Sequence, residues 1–336
     1  MKSMAIVFTG PRTVEWREED VADPGPNHVI VQTLVSLVST GTESWCYRGE
    51  FDADTGWAAW VRYPFLPGYS NVGRVVKIGE GVTDVREGDR VYSAATHTQY
   101  AAVEASGSRF LKLPDHARNE DAAWATLSFI TQTAVRHAEH SMGDNAVVLG
   151  LGPLGQLVIQ YLRAIGLNQI LAVDLAPKRL EMARAHGATA TFSGSAGDAV
   201  EFVKDHTGGR LADVVYDVTG HFSVFPQALK LPKQFGTLVL LGDSPHPSRQ
   251  HLMHDVLTRQ LRVVGTHNDR LPPEHAYWTA PRQIELFLEY IRRGQMNVSN
   301  LITHRHSPAD AAKVYADLQK DRGETMGILY DWKNVG

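Results

Sequence analysis

A single cysteine, Cys46, stands among the 336 residues. No internal disulfide can form and no cysteine-rich metal lobe can be built, so a reducing, cytoplasmic setting is the expectation. Long apolar runs are missing too. The opening MKSMAIVFTGPRTVEW reaches a Gly-Pro turn after too few apolar residues for a signal-peptide core, and no later run is long enough to span a bilayer. No membrane partner is expected. Charge of one sign is equally scarce: 33 Lys and Arg face 37 Asp and Glu, for a formal net charge of −4. No dense basic run offers a field for nucleic acid, and no repeat or low-complexity stretch is visible.

What is present is a length and an apolar content sufficient for two cores. The most informative segment is 147–174, VVLGLGPLGQLVIQYLRAIGLNQILAVD, a glycine-rich turn between two strand-like runs. Gly150 permits the tight turn off the strand, Gly152 lets backbone approach a pyrophosphate, and Gly155 lets the next helix pack closely. Pro153 suits the first helical turn, where its missing N–H would be unpaired anyway, and Leu154 continues that turn. The helix N-terminus then presents N–H groups to phosphate. Asp174, 19 residues past Gly155, can accept hydrogen bonds from a ribose 2′-hydroxyl and repel a 2′-phosphate, which favours NAD(H) over NADP(H).

Further apolar runs follow at 189–192, 213–218, 237–241 and 261–265, separated by helix-like stretches such as 177–186 and 198–206. Six strands alternating with helices predict an α/β, doubly wound parallel sheet covered on both faces. The first third differs. Short strand-like segments at 4–8, 29–38, 73–78, 90–92 and 100–103 are punctuated by turn residues, which predicts a small β-barrel. After the sixth sheet strand come helix-like segments at 281–293 and 308–320 and a final strand-like 328–331.

The stretch Val72-Gly73-Arg74-Val75-Val76-Lys77-Ile78-Gly79-Glu80-Gly81-Val82, the later Gly88-Asp89-Arg90-Val91 and Leu301-Ile302-Thr303-His304 resemble the medium-chain dehydrogenase/reductase superfamily. The resemblance covers nearly the whole chain, in the family's order. It implies a GroES-like catalytic domain over 1–122, a Rossmann NAD-binding domain over 123–268, a return of 269–336 to the first domain, and an active-site cleft between the two. Many members carry a catalytic zinc, and the ligand positions can be compared singly. Thr40 stands at the thiolate position, Tyr69 and Ser70 at the histidine and glutamate positions, and 122–138 contains no Cys, Asp or Glu. Zinc needs three protein ligands of N, S or carboxylate type, so a zinc-independent member with no metal site is expected.

Without a Lewis acid, side chains must manage the proton. Thr42 sits where zinc members place the relaying hydroxyl, with Trp45 in place of their relay histidine. Tyr69 could act as a base only with a depressed pKa. His97 is the more natural acid–base group. These three are the catalytic candidates. Glu43 is expected to pair with an arginine. His137 and His140 are expected on a solvated helix face, His251 and His254 on the surface. The resemblance adds Arg179 near the adenosine ribose, Thr133 near the nicotinamide, and Thr219 and Gly242 on the ligand-bearing sheet edge. Met326 replaces a cofactor-reaching cation.

Ser39–Glu43, Pro67-Gly68-Tyr69 and the ending Leu329-Tyr330-Asp331-Trp332 resemble a zinc-lacking subgroup that includes the bacteriochlorophyllide hydroxyethyl dehydrogenase. The aromatic-rich stretch 45–63 could stack on a sugar or tetrapyrrole face, although packing as core or dimer interface is the expectation, and a homodimer is the expected assembly. The function implied is NAD(H)-dependent hydride transfer to or from a small-molecule secondary alcohol or ketone, sugar-like or a cyclic polyol. A quinone or enone reductase using NAD(P)H is the alternative, and a non-catalytic nucleotide-binding protein a third.

Overall fold

The computed structural model describes residues 1–320, 323–333 and 335. The chain forms two compact units: Met1–Glu50, Gly56–Leu127 and Trp278–Gly336 make the first, and Phe51–Thr55 and Ser128–Tyr277 the second. One of the four passages between them falls within the helix Ala125–His137.

The strands are β1 (Lys2–Gly10), β2 (Thr13–Asp20), β3 (His28–Val38), β4 (Asn71–Ile78), β5 (Arg90–Ser93), β6 (Tyr100–Glu104), β7 (Phe110–Lys112), β8 (Asn145–Leu149), β9 (Gln169–Asp174), β10 (Ala190–Ser193), β11 (Ala212–Asp217), β12 (Pro232–Leu240), β13 (Arg262–Gly265), β14 (Ile302–His306) and β15 (Gly327–Asp331). In the first unit β1 and β2 form a hairpin, and the larger sheet runs β14-β15-β3-β4-β5-β7 with β6 also paired to β3. This is the β-rich, GroES-like domain. The charged hairpin arm β2, TVEWREED, has no apolar alternation to betray it. β14 and β7 are short edge strands with the same difficulty.

The second unit is the doubly wound sheet, ordered β10-β9-β8-β11-β12-β13 with every pair parallel. Parallel strands are covered on both faces, hence the unbroken apolar reading of β8, NAVVL, all of it buried. Val147, Leu149, Leu171, Val173, Val215 and Leu238 share one core with Ala199, Val203, Phe225 and Leu229. Each large side chain of that core contributes about 1.5–3 kcal/mol by leaving water. From β8 the chain winds to β9 and β10 on one side and then to β11, β12 and β13 on the other. The crevice at that reversal, beyond the C-terminal strand ends, is where such sheets receive ligands.

Two expectations need correction. The helix ends at His137, and Glu139 takes a positive φ of 54°, so His140 leaves the helical face. Its side chain is only 4% exposed, with Nε2 2.6 Å from the Tyr216 hydroxyl and Nδ1 3.3 Å from Asp144. Burial, opposed by Asp144, holds its pKa below the usual imidazole range. The helix expected over 308–320 is a 3-10 turn, Pro308–Asp310, followed by a helix Ala311–Leu318. His251 and His254 are exposed as expected. Among the described residues no helix is long and apolar enough to cross a membrane.

Candidate functional site

In the second unit the turn after β8 is built by glycines doing different work. Gly150 has φ +86°, and a Cβ there would also lie 2.7 Å from Thr219 Cγ2. A Cβ on Gly155 would lie 2.1 Å from the carbonyl oxygen of Gly150, so the absence of a side chain is what seats the helix Pro153–Ala164. Gly152 differs. Its φ is −67°, and a Cβ would meet only Arg179 Nη1, at 4.0 Å. Nothing in the protein requires glycine here, and a ligand passing over the backbone would. The helix begins at Gly152 and Pro153 with no side-chain cap, leaving its first N–H groups for such a ligand.

Asp174 closes β9 with its carboxylate held by two backbone donors. Oδ2 accepts from Leu151 N–H at 2.6 Å and Oδ1 from Ala176 N–H at 2.8 Å. One oxygen thus braces the glycine turn from the next strand, and each retains a second lone pair. Arg179 Nη1 is 4.0 Å from Asp174 Oδ2. Thr219 donates its hydroxyl to Asp217 Oδ1 at 2.6 Å, and a Cβ on Gly242 would sit 2.3 Å from Gly220 N. These two therefore shape the loops after β11 and β12. Thr133 is fully buried, and its hydroxyl has no hydrogen-bond partner among the described residues. Met326 is buried in the first unit.

Asp174→Asn keeps the shape and removes the charge. We expect it to weaken NADH binding about 10-fold and strengthen NADPH binding by a similar factor, as one charge-assisted contact is lost and one repulsion relieved. Fluorescence titration with both dinucleotides checks this; an unchanged preference would remove Asp174 from discrimination.

The first unit brings together Thr42, Tyr69 and His97, and the structure separates their roles. Thr42 opens the helix Thr42–Arg48 and, with Ser39, hydrogen-bonds to the Tyr69 phenol. Burial raises the Tyr69 pKa well above the usual phenol range, further aided by the nearby Glu43. A depressed pKa is thus not what this site creates, and Tyr69 is a proton donor rather than a base at neutral pH. His97 is fully buried. Its Nδ1 lies 2.7 Å from Ser36 Oγ and its Nε2 3.1 Å from Glu43 Oε2. Ser36 Oγ in turn accepts from Trp332 Nε1–H at 2.9 Å, leaving its own proton for His97 Nδ1. His97 Nε2–H is aimed at Glu43.

Glu43 does not pair with an arginine. Its carboxylate accepts from His97, from the Tyr315 hydroxyl at 2.5 Å and from Ser39 N–H at 2.8 Å. Ser36, Ser39, Tyr315 and Trp332 are members of this network that the sequence did not disclose, since Tyr315 lies 272 positions from Glu43. The three positions compared with zinc ligands are engaged otherwise. Ser70 Oγ donates to Ala123 O at 2.6 Å, Tyr69 donates to Ser39, and Thr40 is buried. Among the described residues no group of three His, Cys, Asp or Glu side chains is placed to hold a metal ion. Cys46 is buried with its thiol pKa pushed up, chiefly by burial. In the aromatic stretch, Tyr47 and Trp57 are buried, Arg48 stacks over Trp45 at 3.8 Å, and Tyr63 donates to Cys46 O at 2.6 Å.

Residues 25–117 match the alcohol dehydrogenase GroES-like domain and residues 153–278 the zinc-binding dehydrogenase family. The 5-exo-hydroxycamphor dehydrogenase of Pseudomonas putida is 28% identical, over 92% of this chain and 93% of its own. The D-guloside 3-dehydrogenase of Escherichia coli (strain K12) is 26% identical over 97% and 99%. A Sinorhizobium meliloti 1021 protein solved with NADP bound superposes with a TM-score of 0.83 at 22% identity, covering 98% of this chain and 99% of that one, a likeness of fold.

Proposed function

The chain belongs to the alcohol dehydrogenase-like, medium-chain dehydrogenase/reductase superfamily of oxidoreductases, and from that premise we propose that it interconverts a secondary alcohol and its ketone with NAD(H), without zinc. The observation that carries the reading is the pairing of a complete dinucleotide turn with hydroxyls at the metal-ligand positions. Gly150, Gly152, Gly155 and the uncapped helix behind them fit a pyrophosphate, and Asp174 supports the adenosine ribose. A bound nicotinamide supplies or takes hydride at carbon.

Thr40, Tyr69 and Ser70 do not fit a catalytic zinc. They are neutral hydroxyls, and the raised pKa of Tyr69 makes a phenolate ligand still less available. Tyr69 is instead suited to turn its O–H from Ser39 to a ketone oxygen, with Ser39 and Thr42 then donating to the phenol oxygen and replacing the proton it gives up. His97 and Glu43 position this group from below: Glu43 grips Ser39 N–H, and Ser39 receives the Tyr69 hydroxyl. Two relatives that match 92% and 97% of the chain are named for a hydroxycamphor and a guloside, alcohols carried on rings, which supports a cyclic secondary alcohol as substrate.

The test is turnover of a panel of cyclic alcohols and glycosides with NAD+ and NADP+, with metal content measured on the active protein. Activity with NAD+ and substoichiometric zinc is expected. Stoichiometric zinc whose chelation abolishes turnover overturns the metal-free reading, and a preference for NADP+ overturns the cofactor assignment. Tyr69→Phe should lower kcat about 10- to 100-fold, the range of a lost acid–base contribution, with little change in dinucleotide affinity. An unaltered kcat would move the proton elsewhere.

A further inference from the structure

Beyond the dinucleotide turn, the second unit carries a group of cationic and aromatic side chains in the two loops that leave β11 and β12. The first loop runs Thr219-Gly220-His221-Phe222, the second Gly242 to Arg249, so both lie on the ligand-receiving edge of the sheet. Arg249 Cζ stands 3.5 Å over the Phe222 ring, and the His221 ring stacks on the same phenyl with centroids 4.4 Å apart. Phe222 thus fixes both heads without using their hydrogen bonds.

What those heads bond to decides the reading. His221 Nδ1 is taken by Ser223, whose Oγ lies at 2.8 Å and N at 3.3 Å, so the remaining proton is on Nε2. Burial first, then Arg249 and His246, lower the His221 pKa and keep it neutral. The Arg249 guanidinium makes no hydrogen bond or ion pair with any described residue beyond its seat on Phe222. The carboxylate seen to bind this loop, Asp52, is committed to other partners. Its Oδ1 is 3.2 Å from His246 Nδ1 and its Oδ2 accepts from Ser248 N–H at 3.0 Å, while its own N–H donates to Pro245 O at 2.8 Å. Asp52 therefore braces the second loop through His246 and Ser248 and makes no ion pair with Arg249. A guanidinium held in place and lacking a counterion is a ready receptor for a phosphate or carboxylate.

We infer that Arg249 and His221 Nε2–H form a recognition site for an anionic group, phosphate or carboxylate, carried by the alcohol substrate. This rests on the dehydrogenase reading above and narrows it to acidic alcohols such as sugar phosphates and sugar acids. The β9 half of the sheet, with Asp174, suits the adenosine end of a dinucleotide. The β11–β12 half is left for the reacting end and its partner. The dinucleotide's own phosphates are the competing source of the same chemistry, and the test separates the two.

Inorganic phosphate is titrated calorimetrically into the NADH-saturated protein, comparing wild type with Arg249→Gln, Arg249→Lys and His221→Gln. Wild type is expected to bind phosphate about 10-fold more tightly than Arg249→Gln, with partial recovery in Arg249→Lys and an intermediate loss in His221→Gln. Equal affinity in wild type and Arg249→Gln overturns the site. NADH affinity of the free protein is measured alongside, and a 10-fold fall in Arg249→Gln assigns the site to the dinucleotide and overturns its assignment to substrate. In turnover, the ratio of kcat/KM for a phosphorylated sugar alcohol to that for its neutral parent should drop about 10-fold in Arg249→Gln. Phosphate binding that depends on Arg249 with no turnover of any alcohol would sink the dehydrogenase reading and leave the anion site standing.

Discussion

Gly155→Ala should destabilise the second unit by about 3 kcal/mol and weaken NADH binding by about 100-fold, whereas Gly152→Ala should weaken NADH to a similar degree with the melting temperature unchanged. The two glycines are three residues apart in one turn, and the difference lies in what a methyl group would meet. At Gly155 it meets a backbone carbonyl at 2.1 Å, which cannot swivel aside, so helix and strand must separate. Overpacking of that kind typically costs about 1–3 kcal/mol, and a rigid backbone obstacle places this case at the upper end. The displaced helix N-terminus also loses its aim at phosphate. At Gly152 the backbone is at an ordinary φ of −67° and the new methyl has room inside the protein. Only a ligand lying over the backbone would be pushed off its N–H donors, each charge-assisted contact being worth about 1.5–3 kcal/mol. Thermal melts and dinucleotide titrations of both variants decide the matter. A Gly152→Ala protein with normal NADH affinity would show that no ligand crosses that turn closely.

Glu43→Ala is expected to destabilise the first unit by about 4 kcal/mol, as one carboxylate satisfies three donors in a fully buried network. Its loss strands His97 Nε2–H, the Tyr315 hydroxyl and Ser39 N–H, and an unpaired buried donor costs about 1–3 kcal/mol. Water entering the new cavity would recover part of that sum. Glu43→Gln should sit between, near 2 kcal/mol in order of magnitude, because its carbonyl oxygen still accepts while its amide confronts a donor. Urea unfolding followed by tryptophan fluorescence measures both. If Glu43→Ala unfolds at the wild-type midpoint, the network is not structural and His97 regains its standing as a free acid–base group. The same network gives Tyr69→Phe its diagnostic value. With the phenol held above its ordinary value of 10.0 by burial, the proton donor persists through neutral and mildly alkaline pH. Ketone reduction should show no loss assignable to Tyr69 below about pH 10.

The second unit was legible from the chain because its information is local. Parallel strands buried on both faces must be continuously apolar, the turn between strand and helix must be glycine where φ is positive or backbone crowds, and both constraints act over a few neighbouring residues. Asp174 was legible for the same reason, though its bracing of Leu151 N–H was not. The first unit was read in outline, while β2, β7 and β14 escaped because a charged or three-residue edge strand has no apolar face to display. The sequence offers His97 as an acid–base candidate, since its segment, AATHTQY, contains nothing to show that Ser36 and Glu43 would close over both nitrogens.

By itself the sequence determined the doubly wound sheet and its glycine turn, which follow from residue type and short-range spacing, while the comparison of Thr40, Tyr69 and Ser70 with metal ligands came from the family resemblance. Only the tertiary structure decided that Glu43 and His97 bind each other, that Tyr69 keeps its proton, and that Arg249 is left without a carboxylate. Those outcomes depend on which donors and acceptors meet across hundreds of residues, and on how deeply each is buried. A pKa and a hydrogen-bond partner are properties of that environment, not of the residue.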